Sequence, residues 1–177
     1  MIILGIDPGT KSIGYALIKS EDKPRLLEAG LISTTQKTNA GRLLEIHLAI
    51  RGLIIRWRPE RISLERLFFA KNAKTAISVA EARGAILLTA SLHHTKLFEY
   101  TPLEVKKAVT GRGRADKIEV EKILRLSLRG AEKIRAKDDV FDAMAIAFTN
   151  LLLEKRSIYS INFKENNIQK NVSLQRR

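Results

Sequence analysis

The sequence predicts an α/β protein with a mixed five-stranded sheet and helices packed on both faces. Three observations support this fold class. The first third of the chain contains three apolar or alternating runs, separated by the turn-rich segments PGTKS and EDKPR. From residue 39 onward, helical periodicities alternate with short strand-like runs. A length of 177 residues with 45% hydrophobic side chains is enough to form the core of one compact domain.

Each element has its own signal in the sequence. The short connections in the first third predict an antiparallel meander of the strands Met1–Asp7, Ile13–Lys19 and Leu26–Thr34. The following helix is predicted over Asn39–Trp57, where apolar residues recur at helical spacing until Pro59. The later elements are a strand over Arg61–Leu67, a helix over Thr75–His94, a strand over Lys96–Thr101 and helices over Pro102–Val109, Asp116–Arg129 and Asp139–Lys155. We expect the two later strands to pair in parallel, and Asp116 with Glu119 to form a capping box.

The charge balance indicates a polyanionic partner. Lys and Arg total 32 and Asp and Glu total 19, so the net charge is +13 and the pI is near 10.2. Such a surplus favours nucleic acid over an acidic membrane. No apolar run approaches the roughly 20 residues that span a bilayer, and cysteine is absent, which excludes disulfides and a cysteine nucleophile. We therefore expect a soluble, cytoplasmic protein.

Four acidic residues stand at positions that are typical of a metal-binding site. Asp7 and Glu65 each end an apolar strand, and Asp139 and Asp142 share one face of the last predicted helix. Carboxylates gathered by folding repel one another unless cations compensate them. Two divalent ions about 3.5–4 Å apart suit phosphodiester hydrolysis, one activating water and the other stabilising the departing 3′ oxygen.

Each acid also has a structural alternative. Asp7 could cap the turn that follows it, and Glu65 could pair with a neighbouring arginine. Asp138 could be the N-cap of the last helix. Because Asp138 reaches Asp142 at a spacing of four as well as Asp139 does at three, spacing alone does not choose between them.

Two further segments predict contacts with DNA. Basic residues surround two glycines in a segment that we call the basic segment, comprising Lys106, Lys107, Arg112, Arg114 and Lys117. It is typical of a phosphate-binding surface, although charged segments are also often simply solvated. The loop that begins at Phe68-Phe69 and contains Lys71 has an aromatic side chain suited to stacking on a base. The alternative is that both rings pack in the core.

Four segments together resemble the RuvC-type Holliday-junction endonucleases of bacteria, which have an RNase H-like fold. They are GIDPGTKSIGYALI at 5–18, LERLFFAKNAKTAISVAEARGA at 64–85, YTPLEVKKAVTGRGRADK at 100–117 and DDVFDAMAIA at 138–147. The resemblance covers most of residues 1–153 in the family's order and spacing. It implies an RNase H-like nuclease domain over residues 1–156. Residues 157–177 match nothing in the family, and we expect them to form a basic, flexible tail.

The resemblance also implies roles for single residues. Four positions match the family's metal-binding acids, and we call them the acidic cluster: Asp7, Glu65, Asp139 and Asp142. Asp139 is preferred over Asp138 because it stands three residues before the aspartate of DAMAIA. Lys106 and Lys117 match basic residues near the cleaved strand, and Phe68 matches an aromatic that stacks on bases at the opened crossover. The implied cofactor is Mg²⁺, two ions per site, with Mn²⁺ as a substitute.

The activity implied by the resemblance is the resolution of Holliday junctions by paired, symmetric nicks in recombination and DNA repair. The family acts as a homodimer on four-way junction DNA and works beside the RuvA–RuvB branch-migration complex. We expect the dimer interface to use the helix over Thr75–His94, whose apolar residues are spread around its circumference.

Three other functions are compatible with parts of the sequence. Actin-like and sugar-kinase ATPases also begin with a strand, Asp, Gly and Thr, but they need two related domains, and 177 residues cannot hold both. An RNase H-like nuclease acting on structured RNA would lack the LFFAKN and GRGRADK segments. A non-catalytic junction-binding module would have no reason to retain four acids.

Overall fold

The computed structural model describes residues 1–9, 12–66, 73–136 and 138–153. The strands are β1 (Ile2–Asp7), β2 (Ser12–Lys19), β3 (Arg25–Ser33), β4 (Arg61–Glu65) and β5 (Lys96–Tyr100). The helices are α1 (Asn39–Trp57), α2 (Ala73–Leu92), α3 (Pro102–Thr110), α4 (Lys117–Ser127) and α5 (Asp138–Leu152), with a short 3₁₀ turn at Ala131–Lys133. The tail predicted over residues 157–177 lies outside the described residues.

The five strands form one mixed sheet in the order β3-β2-β1-β4-β5. The meander β1-β2-β3 is antiparallel, whereas β4 pairs in parallel with β1 and with β5. This arrangement confirms the sheet predicted from the sequence. Because β1 and β4 are parallel neighbours, their carboxyl ends, Asp7 and Glu65, reach the same edge of the sheet.

Helices cover both faces of the sheet, as predicted. Side chains alternate along each strand, so Leu4 and Ile6 of β1 pack in the core formed with α1 and α2. Ile3 lies on the opposite face, in the core that contains the buried residues of α3, α4 and α5. Asp7 has the parity of Ile3, and it therefore faces α5. Among the residues that the structure describes, none of the helices is long and apolar enough to cross a membrane.

Helix α5 lies unusually close to the sheet because β1 has no side chain beneath it at Gly5. A Cβ atom on Gly5 would lie 2.2 Å from the carbonyl oxygen of Ala143 and 2.7 Å from the Cβ atom of Ala147. Nearly all of α5 is buried, from Val140 to Asn150. The small residues on both sides therefore allow the helix to place its first turn directly over the ends of β1 and β4.

The capping box predicted for α4 is only half formed. The carboxylate of Asp116 accepts a hydrogen bond from the main-chain N–H of Glu119 at 2.8 Å, as expected of an N-cap. The Glu119 side chain does not reach back but pairs with the guanidinium group of Arg112. A complete capping box begins α3, at Thr101 and Glu104, where the sequence analysis did not predict one.

Candidate active site

The four residues of the acidic cluster meet at one edge of the sheet. Asp7 and Glu65 come from the ends of two adjacent parallel strands, and Asp139 and Asp142 come from the first two turns of α5, which crosses above them. Their mutual influence is visible at Asp7, whose pKa is raised to about 7. Burial is the largest cause, followed by the negative charges of the three other acids. The structure thus brings together the carboxylates that the sequence predicted to converge.

Asp7 and Glu65 are hydrogen-bonded to each other. The bond helps to raise the pKa of Asp7 and opposes the increase that burial and Asp142 impose on the pKa of Glu65. The raised pKa of Asp7 lets it hold a proton beside Glu65 below about neutral pH, which lessens the repulsion between the two carboxyl groups.

The two acids of α5 have partners from other elements. The Ser12 hydroxyl donates a hydrogen bond of 2.8 Å to the Oδ2 atom of Asp139. The Lys117 ammonium group lies 3.0 Å from the Oδ2 atom of Asp142 and 3.4 Å from that of Asp138. The hydrogen bond to Asp142 is the largest cause of the raised pKa of Lys117. Asp139 is thus bound by a hydroxyl group and Asp142 by an ammonium group, whereas Asp7 and Glu65 are bonded to each other.

The carboxylate oxygens of the acidic cluster suit a hard divalent cation, although they are not arranged around a single point. Within the described ranges, no group of three or more acidic or histidine side chains is already arranged to hold a metal ion. The cluster nevertheless offers only carboxylate oxygens, and the pKa of Asp7 is raised to about 7 by burial and by the negative charges of the three other acids, which the Lys117 ammonium group at Asp142 compensates only in part. An oxygen-preferring cation such as Mg²⁺ would supply that compensation, so these residues fit it.

A cleft opens beside the acidic cluster. Its volume is about 340 Å³, and it contains both acidic and basic side chains from elements distant in sequence. Its polar lining is Glu65, Asp142, Lys106 and Lys117, and its apolar lining is Pro102, Val105, Val120, Ala145 and Ile146. Carboxylates and lysines that line the same cleft are the arrangement needed to hold a phosphate group beside a metal site.

The basic segment divides between this cleft and the surrounding surface. Lys106 and Lys117 line the cleft. Lys107, Arg112 and Arg114 are exposed beside it, and Gly111 ends α3 in the left-handed conformation (φ 79°) that turns the chain there. Phe68 and Lys71, the other predicted DNA contacts, lie outside the described residues.

Sequence reasoning missed two features of the site. Ser12 had no signal, because its partner Asp139 is 127 positions away. Lys117 was expected near the cleaved strand, but its bonds to Asp142 and Asp138 were not. Only the packing of α4 beside the start of α5 creates these contacts.

Comparisons of sequence and of structure with known proteins find relatives of one family. The sequence profile described as "Crossover junction endodeoxyribonuclease RuvC" matches residues 3–150. A protein of that name from Caldicellulosiruptor saccharolyticus is 40% identical over 162 residues, which cover 90% of this chain and 97% of the relative. The RuvC structure from Thermus thermophilus superposes with a TM-score of 0.83 at 30% identity, covering 91% of this chain and all of that one. The T. thermophilus RuvC in complex with Holliday junction substrate gives 0.82 at 32% identity, covering 88% and 95% of the two chains. The RNase H-like fold expected from the sequence is therefore confirmed.

Proposed function

The chain belongs to the family of RuvC crossover junction endodeoxyribonucleases, and from this premise we propose that it resolves Holliday junctions in recombination and DNA repair. Resolution proceeds by paired, symmetric nicks in two strands of like polarity. The observation that carries the proposal is the meeting of four carboxylates at one sheet edge, beside a cleft that Lys106 and Lys117 line. The similarity to the T. thermophilus RuvC in complex with Holliday junction substrate supports DNA junctions rather than structured RNA as the substrate.

The acidic cluster would hold the metal ions. When bound, two Mg²⁺ ions, or Mn²⁺ in their place, supply activation of a water molecule and neutralisation of charge on the departing 3′ oxygen. Asp7 must release its proton to act as a ligand; with a pKa near 7 it is about half ionised at neutral pH, and a bound cation would favour the release further. Ser12 would fix the orientation of Asp139 through its hydrogen bond to Oδ2, which leaves the other carboxylate oxygen available to a cation.

The lysines of the cleft would position the scissile phosphate. Lys106 and Lys117 line the cavity from α3 and α4, together with the carboxylates of Glu65 and Asp142. A phosphate held between them gains charge neutralisation that increases as negative charge develops in the transition state. The exposed residues Lys107, Arg112 and Arg114 extend this positive surface along the DNA backbone.

A homodimer suits the proposed reaction. A junction has two-fold symmetry, and a two-fold dimer presents one acidic cluster to each of the two strands to be cut. Helix α2 offers an apolar surface for the interface: the exposed fractions of Ile77, Leu88 and Leu92 are 70%, 60% and 61%. We expect the dimer to work with the RuvA–RuvB complex in the cytoplasm, as the family resemblance implies.

A comparison of substrates tests the proposed function. The purified protein is incubated with Mg²⁺ and a synthetic four-way junction whose strands are labelled singly, with linear duplex DNA of the same sequence, and with structured RNA. We expect symmetric nicks in two opposing strands of the junction and little cutting of the other two substrates. Preferred cutting of the RNA would support the alternative nuclease function, and binding of the junction without cutting would support a non-catalytic module.

A further inference from the structure

The Lys117 ammonium group is shared between an acid of the cluster and an acid outside it. It lies 3.0 Å from Asp142, which belongs to the acidic cluster, and 3.4 Å from Asp138, which does not. Lys117 is the first residue of α4, whereas Asp138 begins α5. The contact therefore joins two helix starts at the rim of the cleft.

Asp138 does not behave as a member of the acidic cluster. Its side chain is 75% exposed, compared with 37% for Asp142, and it is turned to Lys117. Its neighbour Asp139 is turned in the other direction, to Ser12. The two consecutive aspartates, which sequence spacing could not distinguish, thus have different partners. An exposed ion pair contributes little to folding stability, so stabilisation alone gives a weak reason for the contact.

Competition for Asp142 gives a stronger reason. The Lys117 ammonium group and a divalent cation at the acidic cluster both require the Asp142 carboxylate, and two cations near the same oxygen repel each other. An ammonium group released from Asp142 with no other anion nearby would move into solvent. Asp138 provides that other anion, within reach of the same lysine side chain.

We propose that Asp138 is a positioning residue, which retains Lys117 at the rim of the cleft when a divalent cation takes Asp142. The ammonium group then competes less with the cation and stays beside the scissile phosphate. This inference rests on the proposed function, because it requires a cation at the acidic cluster. Asp138 itself contacts neither the cation nor the DNA in this arrangement.

A double-mutant cycle tests the proposal through Lys117. The variants are Asp138→Asn, Lys117→Ala and the two combined, in the full chain, with Asp22→Asn as a control that removes an exposed acid from the β2–β3 turn. Mn²⁺ binding without DNA is measured by electron paramagnetic resonance, and kcat and KM are measured for junction cleavage with Mg²⁺. Thermal melts establish that each variant is folded. If Lys117→Ala does not fold, Lys117→Gln replaces it in the cycle.

We expect Asp138→Asn to weaken Mn²⁺ binding and to lower kcat by about two- to five-fold, as fits one exposed ion pair, with KM unchanged. In a background without Lys117, the same substitution should have no further effect. An equal loss in both backgrounds would overturn the proposal, because Asp138 would then act on the cation directly through its charge. No loss in either background would also overturn it. If the wild-type chain neither binds Mn²⁺ nor cuts the junction, the proposed function itself is wrong.

Discussion

A Cβ atom placed on Gly14 would lie 1.9 Å from the main-chain carbonyl oxygen of Asp139. Gly14 pairs with Asp7 across the β1–β2 ladder, so the missing side chain lies next to the first acid of the cluster. The start of α5 occupies that space. Asp139 can therefore reach the same edge of the sheet as Asp7 because β2 has glycine at this position.

The substitution Gly14→Ala is expected to displace the first turn of α5 and to lower the cleavage rate by about 100-fold, as a misplacement of about 1 Å in a catalytic group does. Junction binding should change much less. Gly52→Ala is a matched control, because a Cβ atom there meets nothing within 4 Å and alanine favours the helix. Single-turnover cleavage and thermal melts of both variants make the comparison. If the Gly14→Ala protein cuts at the wild-type rate, α5 can accommodate the added methyl group without displacing Asp139.

The metal-free protein should lose stability as the pH rises from about 4 to just above 7. The pKa of Asp7 is raised from 3.8 to about 7 on folding, so the folded state binds this proton more tightly than the unfolded state. Its stabilising contribution is complete below about pH 4 and is lost as the pH rises through 7. Thermal melts with chelator at pH 5 and pH 8 measure this loss.

The variant Asp7→Asn provides the control for that pH dependence. It removes the titrating group and should melt a few degrees above the wild type at pH 8, where the wild type has an ionised Asp7 beside three other acids. Parallel melting curves for the two proteins across this pH range would contradict the assignment of the proton to Asp7.

Much of the fold was predictable because its signals are local. The bounds of α1 and the three strands of the meander follow from apolar spacing and turn residues, and the structure agrees within one or two residues. The site was partly predictable for the same reason: Asp7 and Glu65 interrupt apolar strands, which is costly without compensation. The partners of Asp139 were not predictable, because contacts between residues more than 100 positions apart depend on helix placement.

Neighbouring lysines on α3 should have different roles. Lys106 lines the cleft, whereas Lys107 is exposed beside it. We expect Lys106→Ala to slow cleavage more than it weakens binding, because its charge acts on the transition state. Lys107→Ala should weaken DNA binding. Because one phosphate contact is lost, the affinity of this variant should also depend less steeply on salt concentration than the affinity of the wild type. Binding isotherms at several salt concentrations, with cleavage rates at saturation, separate the two effects. Equal losses of binding and rate in Lys106→Ala would make it an ordinary phosphate contact.

The expected dimer can be tested at Leu88 of α2. Its side chain is 60% exposed, so Leu88→Glu should leave the fold intact while placing a charge in an apolar interface. Leu48→Glu on α1, where the leucine is 52% exposed, is the matched control. Sedimentation at micromolar concentration should give a dimer for the wild type and the control, and a monomer for Leu88→Glu. If Leu88→Glu also sediments as a dimer, the interface lies elsewhere.

We expect the chemistry to depend on the acidic cluster and the affinity for DNA to depend on the basic surface. The measurement is cleavage and binding of the same four-way junction, with Mg²⁺, by the variants Asp7→Asn, Glu65→Gln, Asp139→Asn and Asp142→Asn. Each variant should lose detectable nicking and retain junction binding, because the amides remove cation ligands but not the lysines and arginines that contact DNA. If a variant nicks the junction at nearly the wild-type rate, the acid that it replaces is not a cation ligand.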